Sequence, residues 1–182
     1  MAKLVSKTYG EALFELAMEK NTLDVIQEES IAVLEIFKQN EELAKLLNHP
    51  KISKEEKITV IENVFKGRAS DTIVGFLILI VEKGRYNEIN QIFTYFLEQV
   101  KEFKKIGVAY VTSATPLTAE QCRKVEERLL ATTKYIEFEM HFNVDADLIG
   151  GMIIRIGDRV VDSSIRTKLN QMTQTLSKVQ LQ

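Results

Sequence analysis

Apolar residues recur through the first hundred positions at the spacing of helical stripes. Tyr9, Ala12, Leu13, Leu16 and Ala17 fall at i, i+3, i+4, i+7 and i+8, which predicts a helix from about Leu4 to Lys20. A second stripe of Ile26, Val33, Leu34 and Phe37 ends at Asn40. A short third carries Leu43, Leu46 and Leu47 before His49-Pro50 stops it. Ser53 with Glu56 forms a capping box for a fourth helix bearing Ile58, Ile61 and Phe65, closed by Gly67. Ser70-Asp71 opens a fifth, apolar helix that stops at Gly84. Ile89, Ile92, Phe93, Phe96, Val100 and Phe103 mark a sixth. Six helices with short connectors predict a bundle over residues 1–105.

Beyond Lys104-Lys105-Ile106-Gly107 the period changes. Val108 to Ala114 is rich in strand formers, and Thr118 with Gln121 caps a helix through Cys122, Val125 and Leu129. Ile136, Phe138, Met140, Phe142 and Val144 alternate with polar residues, the pattern of a strand with one wet face. Met152 to Ile156 reads as another strand, Gly157-Asp158 as a hairpin turn and Val160-Val161 as the return. A last helix, capped near Asp162-Ser163, sets Ile165, Leu169, Met172, Leu176 and Val179 on one stripe. The chain thus reads as mainly α: an N-terminal six-helix bundle, then a small C-terminal α/β domain over residues 106–182.

Composition narrows the chemistry. With 45% hydrophobic residues there is enough apolar side chain for real cores. Charge is balanced, with 24 basic and 26 acidic residues, and neither half has the basic excess that nucleic-acid binding requires. The lone Cys122 forms no internal disulfide and reads as a core filler, which suits a reducing compartment. The N-terminus lacks the apolar run of a signal peptide. The longest apolar run, Ile73 to Val81, falls short of the ~20 residues of a membrane span.

No constellation has the spacing of a catalytic or metal site. His49 and His141 have no second ligand at metal spacing. Asp145, Asp147 and Gly150 resemble the start of a calcium loop, but Ile149 and Ile156 stand where further oxygen ligands belong. Gly150, Gly151 and Gly157 do not fit a dinucleotide fingerprint. Acidic pairs such as Glu28-Glu29, Glu41-Glu42 and Glu126-Glu127 lie beside helical stripes and read as solvated faces. No cofactor is expected. What remains is surplus apolar surface: helix one has a second apolar side through Leu4, Val5 and Phe14, and helix five is apolar all round. Both are either deep core elements or the walls of a groove for a partner's amphipathic helix.

The segment from Gly150-Gly151 through Met152-Ile153-Ile154-Arg155-Ile156, Gly157-Asp158, Arg159-Val160-Val161-Asp162, then Ser163-Ser164-Ile165-Arg166 resembles the C-terminal signature of the delta subunit of F-type ATP synthases, whose mitochondrial counterpart is the oligomycin-sensitivity-conferring protein. Its marks here are Gly150, Gly151, Gly157, Asp158, Asp162 and Arg166; Ser163 stands where relatives often carry Gly. Tyr9-Gly10-Glu11-Ala12-Leu13, Leu46-Leu47-Asn48-His49-Pro50 and Glu82-Lys83-Gly84-Arg85 extend the resemblance along the chain.

The resemblance implies a non-catalytic stator subunit, one copy per complex. It would sit on the cytoplasmic face of a bacterial membrane, touching the membrane only through the complex. It further implies that the helical domain grips the N-terminal helix of an alpha subunit, with Tyr9, Ala12, Leu13 and Leu79 as contacts, and that the C-terminal domain meets the C-terminus of the b-subunit stalk. Two rivals are an adaptor of another cytoplasmic complex and a small enzyme with a site at Asp158, Asp162 and Arg166.

Overall fold

The computed structural model describes residues 2–179 and the side chains of 4–40 and 42–174. It is mainly helical, with a small mixed four-stranded sheet in its C-terminal part. The helices α1 (Ala2–Glu19), α2 (Leu23–Gln39), α3 (Glu41–Asn48), α4 (Lys54–Phe65), α5 (Asp71–Glu82) and α6 (Ile89–Phe103) precede the strands. Then come β1 (Ile106–Ser113), α7 (Ala119–Thr132), β2 (Glu137–Val144), β3 (Met152–Ile156), β4 (Arg159–Asp162) and α8 (Ile165–Val179). The chain divides into two compact units, Met1–Lys101 and Glu102–Gln182.

In unit 1, a single core draws on all six helices. Leu13, Ile26, Leu47, Ile61, Leu77 and Phe93, one from each, are at most 1% exposed. At its centre is α5, which buries Ile73, Val74, Phe76, Leu77, Ile80 and Val81. Phe76 meets Phe93 edge-on at 5.8 Å and Phe37 stacks on Phe65 at 6.1 Å. A Cβ on Gly10 would lie 2.5 Å from Tyr95 Cδ1 and 3.3 Å from the Ile92 carbonyl oxygen, so glycine is what lets α1 pass so close to α6. Phe103, although on the apolar stripe of α6, is 54% exposed.

Helix starts follow the capping residues. At α4 the Ser53 hydroxyl accepts from Glu56 N and the Glu56 carboxylate accepts from Ser53 N, the reciprocal box that the sequence predicts. At α5 the cap is tertiary as well as local: Ser70 Oγ accepts from Ile73 N, while Glu29 of α2 accepts from Ser70 N at 2.8 Å and from Ser70 Oγ at 2.6 Å. Glu29, expected on a solvated face, is thus a partly buried anchor of α5. Between α5 and α6, Gly84 at φ +67° leads into a short 3₁₀ helix, Tyr86–Glu88, which no helical stripe announces.

In unit 2 the strand order is β2-β1-β3-β4, with β1 parallel to β2 across α7 and the other pairs antiparallel. Ala109, Leu129 and Phe138 form its buried centre, with Val125, Met140, Ile154 and Ile156 packed around them. Gly107 lies under the Phe138 ring, which a Cβ would strike. The Thr118–Gln121 capping box starts α7 as the sequence predicts. Cys122 on that helix is only partly buried and stands outside the core. The apolar alternation overstates burial in β2: Phe138 is 6% exposed, but Phe142 is 40%, Val144 is 56%, and Ile136 lies before the strand at 71%. A second unannounced 3₁₀ helix, Ala146–Leu148, follows β2 and buries Leu148.

The Glu29 anchor predicts the behaviour of a variant. Glu29→Ala strips the start of α5 of two hydrogen bonds and is expected to destabilise the chain by about 1–3 kcal/mol, with Glu29→Gln losing less. Urea denaturation followed by circular dichroism checks this; equal midpoints for wild type and Glu29→Ala would show that the anchor contributes nothing.

Candidate partner-binding surfaces

The first surface is on α1 and α5. Among the twelve residues of α5, the exposed ones are Asp71, Gly75, Leu79 and Glu82, at i, i+4, i+8 and i+11 on one side. Leu79 is 40% exposed, and a Cβ at Gly75 would meet nothing within 4 Å. On α1, Ala12 is exposed, Leu4 is 70% exposed, and Tyr9 is half-buried against the core. The two helices share that core, and Lys20 just past α1 donates to Thr72 Oγ1 in the first turn of α5 at 3.3 Å. Leu13 corrects the expectation: at 0% exposure it is part of the core and is not available to a partner at this surface.

The second surface is in unit 2. In-register partners place Phe142, Val111, Ile154 and Val161 in one row on one face of the sheet. The middle of the row is buried or half-buried, whereas Phe142 and Val161 are 40% and 63% exposed. The stripe of α8 is open as well, with Ile165, Leu169 and Met172 at 43%, 48% and 62%. The side chains of Leu176 and Val179 lie outside the described residues. Exposed apolar groups gathered on one small unit make it a candidate interaction surface.

The signature segment builds the base of that surface. Gly151 has φ +77°, and a Cβ there would collide with the Ser163 carbonyl oxygen and come within 3.1 Å of Ser164 Cα. Gly150 makes room for Ile165, whose Cδ1 lies 2.7 Å from where a Cβ would stand. The cap of α8 is Ser164, one residue later than expected: its hydroxyl accepts from Thr167 N. Asp162 supports it from the end of β4, accepting from Ser164 N at 2.8 Å and from Thr167 Oγ1 at 2.7 Å. Hydrogen bonds from the Ser164 side chain and backbone, then from Thr167, hold the Asp162 carboxyl below the usual aspartate range. Because the folded pKa is depressed, this support is fully present above the ordinary aspartate pKa of about 3.9 and is lost as pH falls through the lower folded value. At Ser163, N–H and hydroxyl both donate to the Met152 carbonyl.

The same geometry argues against an enzyme site. Gly157 and Asp158 form the β3–β4 turn, a four-residue strand away from Asp162, which is about 13 Å along the chain. Asp162 is engaged by Ser164 and Thr167 at the start of α8, and Arg166 is exposed in its first turn. Asp145 accepts from Asp147 N and so caps its own turn. His141 stacks on Tyr110 with ring centroids 4.9 Å apart and lies 3.0 Å from Glu139. His49 Nδ1 accepts from Lys51 N. Among the described residues no three His, Cys, Asp or Glu are gathered as metal ligands.

Comparison with known proteins gives the family in which these surfaces occur. The family model of the ATP synthase delta (OSCP) subunit matches residues 5–176. The chain belongs to that family. The ATP synthase subunit delta of Lachnoclostridium phytofermentans is 60% identical over 181 residues, covering 100% of both chains. That of Brevibacillus brevis is 34% identical over 174 residues, covering 96% of this chain and 99% of the relative. A chain in the Toxoplasma gondii mitochondrial ATP synthase hexamer shares the fold, with a TM-score of 0.71 at 17% identity over 94% of this chain and 96% of that one. As a delta (OSCP) family member the chain is a structural, non-catalytic subunit of an F-type ATP synthase, a membrane-associated complex. Among the described residues no helix is long and apolar enough to cross a membrane.

The signature glycines separate two effects. Gly151→Ala meets both a left-handed backbone and a backbone clash, and is expected to cost about 2 kcal/mol or more. Gly157→Ala has φ +55° but open space, so only the conformational cost of about 1 kcal/mol applies. Thermal unfolding of the two variants should show the larger loss at Gly151; equal losses would remove the clash from the explanation.

Proposed function

We propose that the chain is the stator connector of a proton-translocating F-type ATP synthase on the cytoplasmic face of a bacterial membrane. In this reading unit 1, its six helices acting as a docking bundle, receives the N-terminal helix of an alpha subunit on α1 and α5. Unit 2 meets the C-terminal end of the b-subunit stalk on the uncovered part of its sheet's inner face and on α8. One copy of the chain per complex then keeps the catalytic head from turning with the rotor.

The observation that carries the reading is that each unit leaves apolar side chains uncovered by its own core: Leu79 of α5 and Ala12 of α1 in unit 1, and Phe142, Val161, Leu169 and Met172 in unit 2. A connector needs one such surface for each partner, whereas an enzyme would need convergent polar groups. A joint that holds under torque requires nanomolar affinity or better, about −12 kcal/mol. Apolar burial supplies most of such a contact, and the acidic residues at the ends of the α5 row orient it.

Titration calorimetry with a synthetic peptide of the alpha N-terminus tests the unit-1 half. Burying an unpaired carboxylate costs several kcal/mol, so Ala12→Asp is expected to weaken binding by at least about a hundredfold while the helical circular dichroism is retained. Wild-type affinity in the folded variant would exclude this face of α1.

A further inference from the structure

We propose that Gly75 sets how closely a partner helix lies on α5, and that the bare backbone there is the central point of the unit-1 docking surface. The inference rests on the reading of unit 1 as the site for the N-terminal helix of an alpha subunit, and it names the position that reading turns on.

A helix that packs on a core on one side normally shows charged or polar residues on the other. The outer row of α5 has them only at its ends, Asp71 and Glu82, with Gly75 and the 40% exposed Leu79 between. Gly75 has neither of the two internal reasons for a glycine. Its φ is not positive, unlike that of Gly67, Gly84, Gly151 and Gly157. Nothing lies within 4 Å of where its Cβ would stand. Glycine in mid-helix is unfavourable beside alanine, because it surrenders more backbone freedom on folding. In the free chain Gly75 is therefore a local loss with no local return.

Gly10 shows what such a residue does where its partner is present. A Cβ at Gly10 would run into Tyr95 of α6 and crowd the Ile92 carbonyl, so the missing side chain is what lets two helices approach there. Gly75 offers the same bare backbone outward, with Leu79 one turn on as the projecting side chain beside the gap. The occupant that fits is a helix with an apolar face, lying along α5 so that its own side chains fill the space over Gly75. The carboxylates at both ends of the row favour basic residues at the two ends of that helix.

The test compares the full wild-type chain with Gly75→Ala and Gly75→Leu, by thermal unfolding of each alone and by calorimetric titration with the alpha N-terminal peptide. Gly75→Ala is expected to raise Tm by about 4 °C, since it replaces glycine in a helix at an open position. Gly75→Leu is expected to fold and to bind at least about tenfold more weakly, with Gly75→Ala between it and wild type. Unchanged affinity in both variants would overturn the proposal, as would failure of Gly75→Leu to fold, because the position would then not be open. Absence of peptide binding by wild type would instead bring down the reading on which it rests. Loss of binding in Ala12→Asp without loss in Gly75→Leu would retain α1 as the contact and reject α5.

Discussion

The burial of α5 is the constraint on which unit 1 depends. Eight of its twelve residues are hydrophobic, more than any one-sided helix contact can cover, so other helices must surround it. Six of its residues are buried, and the core they enter takes side chains from every helix of the unit. The start of this helix is fixed twice, by Ser70 from within and by the Glu29 carboxylate from α2. The one row left open is apolar at its middle, which is where the proposed partner enters. Core and proposed docking surface are thus two sides of the same helix.

Unit 2 is organised differently. A four-stranded sheet with one crossover helix covers only part of its inner face, and the buried centre is three residues, Ala109, Leu129 and Phe138. Phe142, Val144 and Val161 are apolar strand residues left open to solvent, and α8 adds an open stripe. A unit of this size with so much uncovered apolar surface would gain a second source of burial from the proposed partner helix. The glycine pair at Gly150 and Gly151 keeps the loop before β3 pressed against the start of α8, so the base of the surface is held by backbone as well as by side chains.

Much of this is legible in the sequence, and the failures have physical causes. Helical stripes, the capping boxes at Ser53 and Thr118, and the strands from β1 to β4 are local signals, and the structure has them where the local pattern puts them. Periodicity shows that a stripe exists but not which way it faces. Leu13 shares a stripe with Tyr9 and Ala12 yet is wholly buried, while Leu169 and Met172 form an equally regular stripe that is exposed. For the same reason Phe142 and Val144 look like core from their alternation alone. Glu29 reads as solvated because its partner, Ser70, is 41 residues away and no local pattern links them. The two 3₁₀ turns are too short to set up any period. Gly75 stands out in the sequence only as an interruption of an apolar run; its meaning depends on knowing that nothing lies over it.

The central claim is that the two units carry separate surfaces for separate partners. The most direct measurement is simultaneous binding of an alpha N-terminal peptide and a segment from the C-terminal end of the b stalk to the full chain, followed by native mass spectrometry in wild type, Ala12→Asp and Leu169→Asp. The account predicts a ternary complex in wild type, loss of the alpha peptide alone in Ala12→Asp, and loss of the stalk segment alone in Leu169→Asp. Competition between the two ligands, or a loss of both from either substitution in a folded chain, would contradict it.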